Sequence, residues 1–197
     1  MQPVKKLRTL AQCSIKTFMA AIFILVSMMP PGLANEASDR RVQISLPLFP
    51  RIVAVDKKFQ EKLTEDNKAR LVFVYDRDKS KANELAKTVG STNKNIVNVR
   101  VDTVPVPLVE QLRANSQTPT AIFVAEPLGE ADFKELVLYS INKGIIVFSP
   151  YSGDVERGAT VGLAITSRVF PYFNNSTLEA SGVEINPILL DMSKRYE

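Results

Sequence analysis

Apolar and polar positions form alternating blocks along the chain, and these blocks predict strands and helices in turn. Short, continuous apolar runs rich in β-branched and aromatic residues lie at 70–75, 95–101, 120–126 and 145–148. The segments between them carry apolar residues at helical spacing. Continuous apolar strands are typical of a sheet that is buried on both faces. We therefore predict an α/β fold with a mostly parallel sheet flanked by helices.

Three helices are predicted between these strands. The first follows residue 78 and ends at Gly90, a residue that often closes helices. The second is short and has Pro107 in its first turn, where a missing N–H costs little. The third ends at Gly144. An opening helix is also expected ahead of the first strand, within residues 46–63.

The C-terminal third has a different rhythm. Residues 161–174 contain two apolar runs with no helix between them, which predicts an antiparallel β-hairpin. Pro171 cannot donate to a β-ladder, so the second strand is expected at the sheet edge. A short helix capped by Asn174 or Asn175 should end at Gly182. The remaining residues are expected to form a terminal helix or an extended tail.

The N-terminus has the pattern of a secretory signal peptide. Residues 1–16 carry four basic residues and no acid, and residues 17–29 are almost entirely apolar. Small residues then precede Ala34, so we predict cleavage after Ala34 and export to the periplasm. A helix over the apolar run would reach only about 20 Å, against a hydrocarbon core of about 30 Å. An uncleaved anchor is the alternative.

The predicted organisation therefore has three parts. Residues 1–34 form the signal peptide, residues 35–68 form an N-terminal segment with the opening helix, and residues 69–197 form the main α/β domain. We expect residues 35–197 to fold as one globular domain, since that length supports a single hydrophobic core.

Charge and composition exclude several classes of function. The net charge of +4 comes from the predicted signal peptide, and the rest carries 21 basic and 21 acidic residues. Nucleic acid is therefore not an expected partner. Residues 35–197 contain no His, Cys or Trp. The usual zinc, copper and haem ligand sets and the His-dependent nucleophilic triads cannot be assembled, so we expect no metal and no cofactor. Carboxylate chemistry, Ser-Lys pairs and oxygen-ligated Ca²⁺ or Mg²⁺ remain.

The stretch after the fourth strand is the candidate site. In open α/β sheets, ligands gather beyond the carboxyl ends of the strands. The candidate ligand- or partner-binding residues here are Ser149, Tyr151, Ser152, Gly153, Asp154, Glu156, Arg157 and Gly158. In the alternative interpretation, Pro150 and the two glycines only turn the chain, while Glu156 and Arg157 pair at the surface or cap a neighbouring element. Neither a P-loop nor a Gly-x-Gly-x-x-Gly motif is present.

The same turn carries a resemblance to a known family. The C-terminal half resembles the YfiR/HmsC-like periplasmic proteins in its Gly-x-x-Glu-Arg-Gly turn, its two strands and its Ala-containing helix that ends in Gly. The matching residues are Gly153, Glu156, Arg157, Gly158, Arg168, Asn174, Ala180, Gly182, Ile185 and Leu189. The resemblance extends over roughly Ala69 to Lys194. The Trp-Pro pair and the cysteines of some relatives are missing.

The resemblance implies a non-enzymatic regulator. Such proteins bind the periplasmic part of an inner-membrane diguanylate cyclase, restrain cyclic-di-GMP signalling and often form dimers, so a homodimer is among the expected assemblies. One alternative is a single-lobe periplasmic solute-binding protein of an ABC-type transport system, holding a small molecule near residues 149–158. Another is an enzyme that uses Asp154 and Glu156. We favour the regulator and expect no catalytic residues.

Overall fold

A computed structural model describes residues 32–113 and 117–197. The chain divides after Ala37 into two units, and the side-chain contacts below belong to the unit Ser38–Glu197. Residues 1–31, which hold most of the predicted signal peptide, lie outside the described residues, so that peptide stays a prediction. Among the described residues, no helix combines the length and the hydrophobicity needed to span a bilayer.

The described elements alternate between helices and strands for most of the chain. The helices are α1 (Gly32–Ser45), α2 (Leu48–Val53), a 3₁₀ turn (Phe59–Lys62), α3 (Lys79–Thr92), α4 (Leu108–Gln111), α5 (Glu130–Lys143), α6 (Asn175–Ser181) and α7 (Pro187–Asp191). The strands are β1 (Lys68–Tyr75), β2 (Asn95–Ile96), β3 (Val99–Pro107), β4 (Ala121–Val124), β5 (Ile146–Phe148), β6 (Val161–Ile165), β7 (Val169–Asn174) and β8 (Lys194–Tyr196).

The strands form one mixed sheet in the order β2-β3-β1-β4-β5-β6-β7-β8. The pairs from β3 to β6 are all parallel, and β6 and β7 form an antiparallel hairpin. The predicted α/β fold, with its mostly parallel sheet and C-terminal hairpin, is confirmed. Because β3 lies on one side of β1 and β4 on the other, the strand order reverses at β1. Ligand sites of open α/β sheets lie at such a reversal.

A row of aromatic rings forms the centre of the core. Phe73, Phe123 and Phe148 lie side by side in register on β1, β4 and β5. Phe49 of α2 covers all three, with ring centroids 5.4–6.0 Å away. All four side chains are fully buried. Helix α2 is therefore held by edge-to-face aromatic packing, which adds to the hydrophobic gain of burial.

The opening helix predicted within 46–63 is present but shorter than that range. Helix α2 covers Leu48–Val53 with Pro47 at its N-cap, and a 3₁₀ turn follows it. Asp56 interrupts the helical path because its carboxylate accepts the backbone N–H of Lys58 at 3.0 Å and pairs with the ammonium of Lys62. Its backbone also bridges to Ile185, which fixes this segment against the C-terminal part of the chain.

The strand predicted at 95–101 is present in two pieces, because the chain turns in its middle. Val97 and Asn98 have φ values of 48° and 65°, and they connect the antiparallel strands β2 and β3. A two-residue hairpin loop of type I′ needs two such left-handed residues. Strand β3 then continues well past the predicted end, to Pro107.

Gly90 does not close α3, which continues to Thr92 and ends at Asn93. A side chain at Gly90 would place its Cβ 2.6 Å from Thr103 Oγ1. This glycine therefore lets α3 pack closely on β3, which is a different use from the predicted cap. The predicted end of α5 at Gly144 is confirmed, with φ at 63°.

The hairpin is present, but the prediction that its second strand lies at the edge is wrong. Strand β8 pairs with β7 from Tyr172 to Asn174, and therefore becomes the edge strand. Pro171 lies just before this pairing begins, so β8 requires no N–H from it. Helix α6 has the predicted limits: the Asn174 side chain accepts the backbone N–H of Thr177 at 2.8 Å, and Gly182 closes the helix. Both a short helix, α7, and an extended strand, β8, follow.

Candidate functional site

The predicted site residues lie in the loop that joins β5 to β6. Ser149 follows the last residue of β5, and Phe148 pairs in parallel with Val161 at the start of β6. The loop therefore leaves the carboxyl end of β5 and returns to the same level of the sheet. Gly153 and Gly158 have φ values of 89° and 112°, and both allow turns that other residues resist. We call residues 149–158 the turn region.

Three predicted residues form a network inside the turn region. Ser149 Oγ donates to Asp154 Oδ2 at 2.5 Å, and Arg157 Nη1 donates to Asp154 Oδ1 at 2.8 Å. Ser149 and Asp154 are buried. Burial raises the pKa of Asp154, and the Ser149 hydrogen bond and the Arg157 charge oppose that rise. The carboxylate thus uses both oxygens to hold the turn together.

Arg157 also fastens the turn region to the start of α5. Its Nη2 lies 3.4 and 3.3 Å from the carbonyl oxygens of Leu128 and Gly129, and its Nε lies 2.9 Å from Glu130 Oε2. Its guanidinium carbon stands 4.4 Å from the centre of the Phe133 ring, a cation–π contact. As for the alternative interpretation, Arg157 does not pair with Glu156 but contacts the residues that precede α5, and its ion pairs are with Asp154 and Glu130.

Tyr151 is buried and uses both of its polar groups. Its hydroxyl donates to the carbonyl oxygen of Ala125 at 2.7 Å, and its backbone N–H donates to Ser149 Oγ at 3.2 Å. Burial raises the pKa of the Tyr151 hydroxyl, and the negative charges of Glu126, Asp39 and Asp154 raise it further. The phenol therefore remains a neutral hydrogen-bond donor, and it links the turn region to the end of β4.

Glu126, at the same end of the sheet, makes structural contacts that the sequence did not indicate. Its Oε1 accepts the backbone N–H groups of Asp76, Arg77 and Asp78 at 2.7, 2.6 and 2.9 Å. These three donors follow β1 and lead into α3, at the reversal of strand order. Successive N–H groups in such a position form an anion-binding concavity. Here a side chain of the same protein occupies it.

The environment of Glu126 favours its charged form. Burial alone would raise the pKa of this carboxyl, but the three backbone N–H groups and the Arg77 charge outweigh burial and lower it. The sequence contains part of the information that places this contact. An acid directly after a parallel strand, next to a reversal of strand order, lies where N–H groups from the neighbouring strand's loop converge.

Three of the predicted residues remain available at the surface. Ser152, Gly153 and Glu156 are exposed. They border a cleft of about 210 Å³ that also includes Arg41 and Tyr172. The Arg41 guanidinium donates to the carbonyl oxygens of Pro150 and Leu163, both at 2.7 Å, and so ties α1 to the turn region and the hairpin. Burial lowers the pKa of Arg41, and the charge of Glu156 opposes this.

The buried polar groups of the turn region bond mainly to one another and to nearby backbone. Ser149 Oγ is buried and hydrogen-bonded, so no substrate reaches it in this conformation. In the described part of the chain, no group of three or more His, Cys, Asp or Glu side chains is placed to hold a metal ion. The structure brings together all eight predicted residues in one loop. It divides them into an interior set that shapes the loop and an exterior set that can contact a partner.

Comparisons with known proteins show similarity only at the level of structure. The chain matches no family model and no curated protein. Twelve solved chains are similar to it.

Three of them illustrate the range of similarity. An ABC domain from Streptococcus pneumonia in complex with L-Trp has 14% identity and a TM-score of 0.47, covering 73% of this chain and 61% of that one. A conserved domain protein from Vibrio cholerae O1 biovar El Tor has 14% identity and a TM-score of 0.47, with coverage of 72% and 60%. CD0873, a substrate binding protein with adhesive properties from Clostridium difficile, in its ligand-free open form, has 14% identity and a TM-score of 0.49, with coverage of 65% and 54%.

This chain spans between 54% and 61% of the length of those three proteins. At this level of similarity, none of them assigns a function to it.

Proposed function

We propose that this chain is an exported, non-enzymatic binding protein that regulates an inner-membrane signalling protein, such as a diguanylate cyclase. The Gly-x-x-Glu-Arg-Gly turn and the strand–strand–helix layout that follows it support this proposal, because they resemble the YfiR/HmsC-like periplasmic regulators. Cyclic-di-GMP is made on the other side of the membrane, so the partner is the periplasmic part of the cyclase. The regulator acts by a change in binding equilibrium between its free and bound forms.

The observation that carries the proposal is the internal use of polar groups at the carboxyl end of the sheet. Solute sites present a few uncommitted polar groups inside a concave pocket. Here Ser149 and Arg157 both donate hydrogen bonds to Asp154, and Glu126 accepts the backbone N–H groups that follow β1. The side chains that remain exposed form an outer surface, and such a surface suits a protein partner better than a small molecule.

That surface has mixed character. Ile165 and Val169 are 42% and 39% exposed, and they pair with each other at the tip of the β6–β7 hairpin. Arg168 lies beside them, and Glu156 is exposed across the neighbouring cleft. An apolar patch bordered by charges of both signs is typical of a reversible protein interface. We call this patch the hairpin surface.

Affinity capture from membranes tests the proposal. The full chain, tagged at its C-terminus and produced in its own cell, is captured from detergent-solubilised inner membrane, and bound proteins are identified by mass spectrometry. We expect recovery of a membrane-bound cyclase or sensor. Ile165→Asp should reduce that recovery at least tenfold, because it places a charge in the apolar patch.

The matched control changes Leu138 on α5, which is 50% exposed, similar to Ile165. Val97 is 57% exposed, but its positive φ makes it unsuitable. Leu138→Asp should leave recovery unchanged. Equal recovery with both variants would reject the hairpin surface as the interface. Recovery of a transporter permease, or of no membrane protein, would reject the regulator.

One observation favours the alternative, a single-lobe periplasmic solute-binding protein of an ABC-type system. The cleft beside the turn region includes Arg41, a charged group suited to an anionic solute. Its volume of about 210 Å³ lies below the roughly 300–1,000 Å³ of most ligand sites. Both guanidinium contacts of Arg41 already serve the fold. An anionic solute that raises the melting temperature of the wild type, but that of Arg41→Gln by much less, would support this alternative.

A further inference from the structure

A second cleft lies in the C-terminal part of the molecule and shares no residue with the turn region. It has a volume of about 430 Å³ and is bounded by residues 57–58, helix α6, residues 182–185, helix α7 and strand β8. We call it the C-terminal cleft. Its volume is within the range of sites that hold small molecules.

The floor of the C-terminal cleft is apolar and firmly held. Leu178, Val183 and Ile185 are buried, and Leu190 of α7 is half-buried at one side. The backbone bridge between Asp56 and Ile185 fixes this floor to the N-terminal segment. An apolar side chain placed on it would be removed from water, at a gain of about 25 cal/mol per Å² of buried area.

Some charges on the rim are already paired. Lys58 Nζ lies 2.9 Å from Glu184 Oε1 and donates to the carbonyl oxygen of Gly182 at 3.2 Å. Arg195 Nη2 lies 3.6 Å from Asp191 Oδ1. These pairs engage Lys58, Glu184 and Arg195, three of the charged residues that line the cleft.

Two rim residues of opposite charge are not held by an ion pair. Lys57 and Glu179 both line the cleft and are both exposed. Within the described ranges, neither side chain forms an ion pair or a hydrogen bond with another residue, although the Lys58 hydrogen bond and charge, and to a lesser extent the Lys57 charge, lower the pKa of Glu184. The cleft therefore offers one exposed cation and one exposed anion above an apolar floor, a pattern with complementary charge for a ligand that carries both signs.

We propose that the C-terminal cleft binds a free α-amino acid with a large apolar side chain. The ligand's carboxylate pairs with Lys57, its ammonium group pairs with Glu179, and its side chain packs on Leu178, Val183 and Ile185. This proposal goes beyond the proposed function and does not depend on it. If both hold, the cleft supplies the regulator with a chemical signal.

The ligand requirement is tested by titration calorimetry on the full chain with leucine and phenylalanine as probes. Both should bind saturably. Glycine should bind at least tenfold more weakly because it lacks the apolar side chain. N-acetyl-leucine and leucinamide each lose one charge, so each should also bind about tenfold more weakly.

Variants of the two rim residues test where the ligand binds. Lys57→Gln should weaken leucine binding about tenfold while leaving leucinamide binding nearly unchanged, since leucinamide has no carboxylate for Lys57. Glu179→Gln should show the converse pattern, weakening leucine and sparing N-acetyl-leucine. The matched controls Lys87→Gln and Glu135→Gln lie on α3 and α5, are equally exposed, and should bind leucine as the wild type does.

Two results of the calorimetric titrations would overturn the proposal. One is the absence of saturable binding by any apolar amino acid up to its solubility limit. The other is binding that both rim variants leave unaltered, which would place the ligand elsewhere. A loss of the captured membrane partner in Lys57→Gln, without any amino-acid binding, would assign the cleft to a protein interface and also reject the proposal. The membrane capture described above is a separate assay, so its failure does not affect this one.

Discussion

The turn region and the C-terminal cleft carry similar kinds of side chains but use them in opposite ways. In the turn region, the charged groups of Asp154 and Arg157 bond to each other and to the backbone around them. In the C-terminal cleft, Lys57 and Glu179 stand over an apolar floor without such bonds among the described residues. A motif that stands out in a sequence is therefore not the same thing as an available binding site.

Hydrogen-bond commitment explains the difference. A buried polar group without a partner costs about 1–3 kcal/mol, so the buried groups of the turn region must be satisfied within the fold. An exposed charge is satisfied by water and remains free to exchange water for a ligand. We expect the turn region to respond to substitution through stability and the C-terminal cleft to respond through binding.

The largest effect expected is from Arg157→Ala. This change leaves the buried Asp154 carboxylate without its cation and removes the contact with Phe133. We expect a loss of about 3 kcal/mol in the free energy of unfolding, measured by urea denaturation. The affinity of the C-terminal cleft for leucine should not change.

A control and a partial rescue sharpen this result. Arg100→Ala removes an exposed arginine on β3 and should cost less than about 0.5 kcal/mol. Asp154→Asn combined with Arg157→Ala should recover part of the loss, because no unpaired charge is then buried. If Arg157→Ala has the same free energy of unfolding as the wild type, the contacts of Arg157 do not stabilise the fold. The contrast drawn between the turn region and the C-terminal cleft is then rejected.

A smaller effect is expected from Gly162→Ala in β6. An added Cβ would lie 2.7 Å from Val155 Cγ2 and 2.8 Å from the carbonyl oxygen of Ser149. Because backbone cannot move aside cheaply, we expect a loss of about 2 kcal/mol, measured by thermal unfolding. Gly129→Ala is the control, since its Cβ would meet only the Asp132 carboxylate, at 3.3 Å. Equal stability of the two variants would show that the turn region tolerates rearrangement.

The smallest effect is expected from Glu126→Gln, and it depends on pH. The amide oxygen still accepts the three N–H groups, so the loss at neutral pH should be about 1 kcal/mol. Because the folded pKa of Glu126 is lowered, its contribution is present above the ordinary value of 4.5 and is lost as the pH falls towards the folded pKa. The variant's stability should therefore converge on that of the wild type in acid.

Urea denaturation of both proteins across the acid range measures this convergence. Glu135→Gln changes an exposed glutamate on α5 and should follow the wild type at every pH. A constant difference between Glu126→Gln and the wild type, independent of pH, would contradict the role given to the Glu126 charge.

Local patterns predicted most of the fold. Continuous apolar runs identified the parallel strands, because strands buried on both faces need apolar residues at every position. Gly144 and Gly182 were found correctly, since helix ends in the left-handed region favour glycine. Gly90 was wrongly predicted to end a helix. A glycine can also allow two elements to pack closely, and only the position of Thr103 in the fold shows that Gly90 does so. The turn at Val97 was not predicted, because β-branched residues seldom adopt positive φ.

The position of the candidate loop after β5 was predicted, but the contacts of its side chains were not. The turn region was found because its residues are contiguous. The contact of Glu126 with residues 76–78 joins positions about fifty residues apart, which only the sheet order brings together. The C-terminal cleft is assembled from residue 57 and residues beyond 174, so no local pattern could indicate it.

The Glu126 contact has a mechanical consequence. It joins the loop after β1 to the loop after β4, and Arg157 joins the latter loop to the turn region. Three loops at one end of the sheet are thereby linked in series, with no covalent crosslink between them. A displacement of the turn region would therefore be passed through residues 125–129 to residues 76–78, which lead into α3. The contacts of Arg157, Tyr151 and Glu126 all contribute to this coupling.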